Sequence, residues 1–425
     1  MHIDLAYGKG SLTIEVPDDR TTVIEPTHLP GLPDVEAALV SALRNPIGTP
    51  PLRRLVGRGQ TVAISVCDIT RPMPSAILLP VLLGELSHVP NDQIVILVAT
   101  GTHRQNTMAE LEEMLGTDIV HNYEVVNHDA FDNSSLALLG ETSDKIPVHI
   151  NRRFLESDIR ITTGFVEPHF FAGFSGGPKM VAPGLAGFDT IMGLHGAGLI
   201  AHPNSTWGIT EGNPIHGEIR SIASRANVDF SVDVTINRDH DITTAYAGEL
   251  SAVHRATCQV AKRTAMRPVS APFEVVVTTN SGYPLDLNLY QAVKGMSAAA
   301  QVVKKGGTII CAAECSDGIP EHGEYGQLLA SRESPAELLE MITTEGFASH
   351  DQWQVQLQGQ ILMRAQVYLK SSFLTEAQIR SAHLEPAEDI QATVLDSLDR
   401  YGKEARLCVL PQGPQTIPFL ASGET

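Results

Sequence analysis

The sequence predicts an α/β fold: two α/β domains with mostly parallel sheets facing across a central cleft. Three observations predict it. Apolar, β-branched runs alternate with helix-like stretches from residue 61 onward, and such alternation builds parallel sheets covered by helices on both faces. The alternation starts again near residue 273, after the segment RTAMRPVSAP at 263–272. The length of 425 residues exceeds what one hydrophobic core usually serves, so two or three domains are expected.

Taken in order, MHIDLAYGKGSLTIEVP at the N-terminus alternates and carries charges, and reads as a strand pair closed by a Gly-Lys-Gly turn. TVAISVC (61–67) is a strand, DITRPMP a loop and SAILLPVLLGELSHV a helix. QIVILVAT (93–100) is the next strand, followed by GTHRQN and a helix whose start is marked by the capping box Thr107/Glu110. YEVVNHD (123–129) and DIRITTG (158–164) are further strands, and the latter runs straight into a glycine-rich stretch. In the second half FEVVVTTN (273–280) is a strand and SGYPLD a loop. LNLYQAVKGMSAAAQVVKK is a helix expected to stop at Gly306-Gly307, and TIICAAE (308–314) is a strand. EDIQATVLDSLDRYGKEA (388–405) reads as a helix and ARLCVLPQG (405–413) as a last strand. The expected organisation is an N-terminal domain over 1–262, joined by a returning segment at 406–425, and a C-terminal domain over 273–390. Residues 263–272 and 391–405 are taken as linkers.

The net charge of −19 argues against non-specific nucleic-acid binding, which needs a basic surface. It leaves room for a local pocket that takes an anion. The five cysteines include no CxxC pair; Cys311 and Cys315 read as buried small side chains, and sparse cysteine fits a reducing, cytoplasmic setting. The longest apolar stretch, AILLPVLLG at 76–84, is too short to span a bilayer and contains Pro80, so no membrane contact is expected.

The chemistry gathers around GFVEPHFFAGFSGGPKMVAPGL (164–185). Its glycines allow close backbone approach with N–H groups facing an anion, and a lysine ending such a loop commonly meets a phosphate or carbonyl. Pro178 is expected to hold Gly177 in extended geometry. In open α/β sheets ligands bind outside the carboxyl ends of the strands. Asp68 and Arg71, His103, and His169 with Lys179 each follow a predicted strand, so they fall at one edge if the strands are parallel. In the second half Tyr290, Gln291 and Lys294 share a helix face. Each residue also has a plainer reading: Asp68 as a turn residue, Arg71 as its ion-pair partner, Lys294 as a surface lysine, the glycine run as a tight turn. No HExxH, Cys/His cluster, GxSxG, P-loop or dinucleotide fingerprint is present.

Taken together, DITRP (68–72), GTHR (101–104), EPHFFAGFSGGPK (167–179), His195 in MGLHGAG, and LYQAVKG (289–295) resemble the lactate racemase family, whose members use a nickel-pincer nucleotide. The resemblance implies a racemase or epimerase of a 2-hydroxy acid. It implies that Lys179 holds the cofactor covalently, with Asp68, Gly176 and Gly177 near it, and that His195 is the protein ligand to nickel. His103 and His169 match the acid/base pair. Arg71, Tyr290, Gln291 and Lys294 match the substrate-binding group, and Trp353 in HDQWQVQ lines the substrate side. Cofactor-biosynthesis enzymes become expected partners. The chemistry suits these residue types. The Cα–H of a 2-hydroxy acid is a poor acid, so leaving as hydride while a base takes the hydroxyl proton is easier, and two enantiomers call for two bases of near-neutral pKa. A non-catalytic protein that binds a nucleotide or organic acid is the alternative; it would keep the lysine loop without needing two histidines. A metal-dependent hydrolase is a third reading, which calls for an ordinary divalent ion and no covalent adduct.

Overall fold

The computed structural model describes residues 1–320 and 323–421 of the chain. It divides into two compact units: one is His28–Thr264, and the other joins Met1–Thr27 to the chain from Ala265 onward. Each is built on a six-stranded sheet.

In the first unit the strand order is Ile242–Gly248, Phe230–Ile236, Ile159–Phe165, Val62–Cys67, Ile94–Ala99, Glu124–Asn127. All neighbours pair in parallel except the first two, which form an antiparallel edge. Val62–Cys67 is buried along its whole length, as an apolar run at the centre of a two-sided parallel sheet must be. Val62, Ile64 and Val66 on one face pack with Leu78, Leu79 and Leu82 of the helix Ser75–Glu85. The helix Met108–Leu115 begins with the predicted capping box, in which Thr107 and Glu110 bind each other's backbone N–H.

In the second unit the order is Glu385–Pro386, Ala365–Lys370, Val303–Ala312, Phe273–Thr279, Leu407–Leu410, Thr21–Val23. Every pairing is parallel. The N-terminal hairpin, His2–Tyr7 with Gly10–Glu15, forms as predicted. It buries Ile3, Leu5 and Ile14 in the core of this sheet.

Four expectations change. The last strand does not return to the first domain: Leu407–Leu410 lies between Phe273–Thr279 and Thr21–Val23. Its four residues are fully buried, an interior slot that the second sheet offers between two parallel neighbours. Residues 422–425 of the segment expected to return lie outside the described residues. The stretch taken as a linker at 391–405 is mostly the helix Ile390–Tyr401, whose Ile390, Val394 and Leu398 recur at i, i+4, i+8 and pack on the second sheet. Within the other supposed linker, Met266–Val269 pairs with Ile417–Leu420. Finally, the helix Leu289–Ala300 stops before the glycines, and VVKK contributes to the strand Val303–Ala312. There Val303 pairs with Phe273, and a β-branched residue opposite an aromatic one favours the strand over another helical turn.

Candidate active site

Three adjacent parallel strands, Ile159–Phe165, Val62–Cys67 and Ile94–Ala99, deliver their carboxyl ends to one edge of the first sheet. Asp68 follows the middle strand and is almost fully buried. Its Oδ2 accepts a hydrogen bond from His103 Nδ1 at 2.7 Å, and its Oδ1 one from Thr70 Oγ1 at 2.6 Å. Burial alone would raise the Asp68 carboxyl, but the hydrogen bond and charge of His103, with Arg71 and Thr70, hold it below the usual carboxylate range. Arg71 acts on Asp68 through charge rather than as its hydrogen-bonded partner. With Nδ1–H on Asp68, the His103 ring when neutral carries its lone pair on Nε2, and the side chain is about half exposed, 48%.

The glycine-rich stretch begins with a small hairpin, Pro168–His169 against Gly173–Phe174. This fold gathers three of the predicted residues around one ring. Phe171 meets the His169 ring edge-on at 4.6 Å and the His195 ring edge-on at 5.2 Å. Lys179 Nζ stands 6.0 Å from its centroid, within cation–π range. His169 Nδ1 accepts backbone N–H from Ala172 at 3.2 Å and, more weakly, from Phe171 at 3.4 Å. His195 ends the helix Phe188–Leu194, and its Nδ1–H donates to the Ile191 carbonyl at 2.7 Å. That bond directs the ring's lone pair to Nε2, the arrangement of a metal-ligating histidine whose other nitrogen is held by a carbonyl. The turn after Lys179 reaches back to the other strands: Ser65 Oγ donates to the Met180 carbonyl, and Gly101 N–H to the Gly184 carbonyl. The His103 loop and the lysine loop are therefore tied together through residues 180–184.

Lys179 itself sits in a short 3-10 turn, Gly177–Met180. Gly177 takes φ +48° rather than the extended value expected before proline. Lacking a Cβ, glycine escapes the clash that biases other residues in that position. A Cβ at Gly177 would lie 2.4 Å from the His254 ring. The Gly177 N–H is not turned outward as the sequence suggested: it donates to Asp233 Oδ1 at 3.1 Å. His254 Nε2 donates to the Ser175 carbonyl at 2.9 Å, and the His216 ring stacks on His254 at 5.5 Å. Burial first, then the positive neighbours His254, Arg220 and Lys179, push His216 down to about 3. Burial pushes His254 down to about 4. Both imidazoles are neutral under the lysine loop.

Asp233, fully buried with Oδ2 lacking a hydrogen-bond partner, is raised by burial to about 7, against the lowering effect of the Gly177 N–H. A carboxyl raised in the folded state stabilises the fold fully below its unfolded value, near 4, and loses that contribution as pH rises through about 7. The loss expected over this window is on the order of 4 kcal/mol. Asp233→Asn keeps the acceptor for Gly177 and cannot ionise. Urea midpoints of the wild type should fall between pH 5 and pH 8 and those of the variant should stay nearly level; equal slopes would remove Asp233 as the cause.

The remaining predicted residues lie in the second unit. Asn288 caps the helix Leu289–Ala300 by accepting the Gln291 N–H at 3.1 Å. This capped turn carries Tyr290, Gln291 and Lys294, all half-buried. Trp353 Nε1–H donates to Tyr290 Oη at 3.0 Å, which places Trp353 beside Tyr290. Tyr325 packs edge-on against Tyr290 at 5.3 Å.

Sequence reading missed Phe171, Asp233, His254 and His216. Phe171 stood inside the quoted motif with no donor or charge to mark it. Asp233 had a signal, a lone acid within the apolar strand FSVDVTI. The two histidines had none, since they meet the loop only across the fold. Among the described residues no group of three or more His, Cys, Asp or Glu is arranged to hold a metal ion, and no helix is long and apolar enough to cross a membrane.

Comparison with known proteins bears on the chain as a whole. The sequence model of the lactate racemase N-terminal domain matches residues 7–208, and that of the lactate racemase C-terminal domain matches residues 269–417. The lactate racemase of Thermoanaerobacterium thermosaccharolyticum is 34% identical over 423 residues, 98% of this chain and 99% of that protein. The lactate racemase of Lactiplantibacillus plantarum is 36% identical over 417 residues, 97% of this chain and 98% of that protein. The solved lactate racemase apoprotein from T. thermosaccharolyticum superposes with a TM-score of 0.91, covering 98% of this chain and all of that one. A Thermotoga maritima protein of 19% identity shares the fold, with a TM-score of 0.70 over 93% of this chain.

Proposed function

The chain belongs to the lactate racemase family, and on that premise we propose that it racemises a small 2-hydroxy acid, lactate first among candidates because both relatives are named for it. The observation that carries the reading is the convergence of His169, His195 and Lys179 on the Phe171 ring. A tether, a metal ligand and a base have to stand that close to act on one substrate carbon.

The residues fit the nickel-pincer nucleotide that the family resemblance implies. Lys179 offers an amine for a covalent link. The His195 tautomer offers Nε2 to a metal, whose other donors the nucleotide itself would provide. When bound, that group supplies an acceptor and donor of hydride, the part of the reaction that protein side chains cannot perform. The remaining work belongs to the chain. His103, braced by Asp68, takes the hydroxyl proton at Nε2 from one enantiomer, and His169 serves the other. Arg71 brings positive charge to the His103 side. Tyr290, Gln291, Lys294 and Trp353 are assigned the substrate carboxylate, which must stay fixed while the planar 2-keto acid turns. Gly176 and Gly177 give the tether loop its tight path. The five buried, unpaired cysteines accord with the cytoplasmic setting included in the proposal.

The test is racemisation in heavy water, with protein co-produced with the cofactor-making enzymes. Either enantiomer of lactate should approach a racemic mixture with Cα hydrogen retained. Extensive solvent deuterium at Cα would contradict hydride return, and absence of turnover on all small 2-hydroxy acids would favour the binding-protein alternative.

A further inference from the structure

Four glutamines, Gln352, Gln354, Gln356 and Gln358, are buried on the helix Gln352–Arg364 of the second unit. A helical stretch buried all round is ordinarily apolar all round. Gln354 is fully buried, and its Nε2 donates to the backbone carbonyl of Tyr290. A carbonyl only accepts, so this bond fixes which way the amide faces. Its Oε1 is thereby turned to the side where it meets no hydrogen-bond donor. A buried amide oxygen left unmet is costly. A methionine of similar length would fill the same space without that cost. Packing therefore does not account for an amide at 354, and what the amide adds is its hold on Tyr290.

Tyr290 is held from the same helix at its other end. Trp353, next to Gln354 in the chain, donates Nε1–H to Tyr290 Oη at 3.0 Å. An indole N–H only donates, so the phenol accepts there and directs its own O–H elsewhere. The Tyr290 ring rests edge-on against Tyr325, which is itself fixed. Tyr325 O–H donates to Gln358 Oε1, and Gln358 Nε2 donates to the Ala382 carbonyl at 2.7 Å. Glu324 N–H donates to Asp351 Oδ2 at 3.2 Å, which ties the turn before Tyr325 to the start of the same helix. Backbone, ring and hydroxyl of Tyr290 are thus each held by Gln352–Arg364 or by a residue tied to it. The hold on the carbonyl reaches beyond one residue, since the same two turns carry Gln291 and Lys294.

We propose that Gln354 is a positioning residue for the substrate: its amide pins the Tyr290 backbone so that the phenol, with Gln291 and Lys294, meets the substrate carboxylate in one fixed geometry. Being fully buried, Gln354 acts through Tyr290 and does not touch the substrate. The inference rests on the racemase reading and deepens it by naming what holds the carboxylate-binding turn.

Racemisation of lactate by the cofactor-loaded enzyme, with melting temperatures measured alongside, tests it. Gln354→Met should raise KM about tenfold. Its kcat should stay within about twofold of the wild type, and its melting temperature should be unchanged or higher. Gln360→Met, on the same helix but only half-buried, should change none of these. Because Gln354 acts through Tyr290, Gln354→Met combined with Tyr290→Phe should raise KM by less than the product of the separate effects. A lowered melting temperature in Gln354→Met, an unchanged KM, or effects that multiply fully would each overturn the proposal. A wild type that turns over no 2-hydroxy acid sinks the racemase reading on that result alone. Isothermal titration of the same variants with lactate then takes the place of KM, again with about tenfold weakening expected in Gln354→Met. Absence of lactate binding, or equal affinity in that variant, would overturn the proposal there.

Discussion

Lys179→Ala is expected to abolish both a covalent adduct and racemisation while leaving the fold in place. The Lys179 backbone closes its turn through N–H to the Gly176 carbonyl, a bond alanine keeps. The turn is anchored by groups other than the lysine side chain, namely Asp233, His254 and the Ser65 hydroxyl. What the substitution removes is the amine. Without it the rate should fall to background, a loss of at least about 10⁶-fold on the scale of ordinary enzymatic acceleration. Intact mass after co-production with the cofactor-making enzymes gives the direct reading: wild type heavier than the bare chain, Lys179→Ala equal to it. Lys179→Arg should behave the same way, since a guanidinium keeps the charge beside Phe171 but is not a nucleophile at neutral pH. An adduct surviving in either variant sinks the tether assignment.

The second large effect is expected at the two histidines. His103→Asn and His169→Asn should each lower kcat for racemisation by about 10²–10⁴-fold with the adduct mass unchanged. Their hydrogen bonds set them up unequally. His103 gives its Nδ1–H to Asp68 and presents a lone pair at Nε2. His169 accepts backbone N–H at Nδ1, which leaves the proton of the neutral ring on Nε2. His103 is thus set to take a proton at Nε2, whereas the neutral His169 ring carries N–H there and takes a proton at that atom only after changing tautomer. Either substitution should stop interconversion in both directions. Full activity in either variant would remove that histidine from the chemistry. A purely binding protein would lose nothing measurable in affinity for the tethered group.

Much of the first sheet was legible because its strands are simple: Val62–Cys67, Ile94–Ala99 and Ile159–Phe165 are short apolar runs bounded by loops. The carboxyl-end rule then assembles Asp68, His103, His169 and Lys179 at one edge from strand order alone. Legibility failed where the decisive partner is distant in sequence. Leu407–Leu410 looked like any buried strand, and nothing in its own residues says which sheet has a vacant slot. Val303–Lys305 had the residues to end a helix or begin a strand, and pairing with Phe273 decided it. Ile390–Tyr401 showed the helical period, but whether such a helix packs on a sheet or bridges two domains is settled by the sheet.

The sequence by itself determined the α/β class, the strands of the first sheet and the list of reactive side chains, because hydrophobic period and strand-end position are local properties. Only the tertiary structure decided how those side chains are electronically prepared. It set the tautomers of His103, His169 and His195 through their distant or backbone partners, put Phe171 between His169, His195 and Lys179, and slid Asp233, His254 and His216 beneath the lysine loop. Hydrogen-bond direction and desolvation depend on which groups meet across the fold, and no stretch of chain carries that information alone.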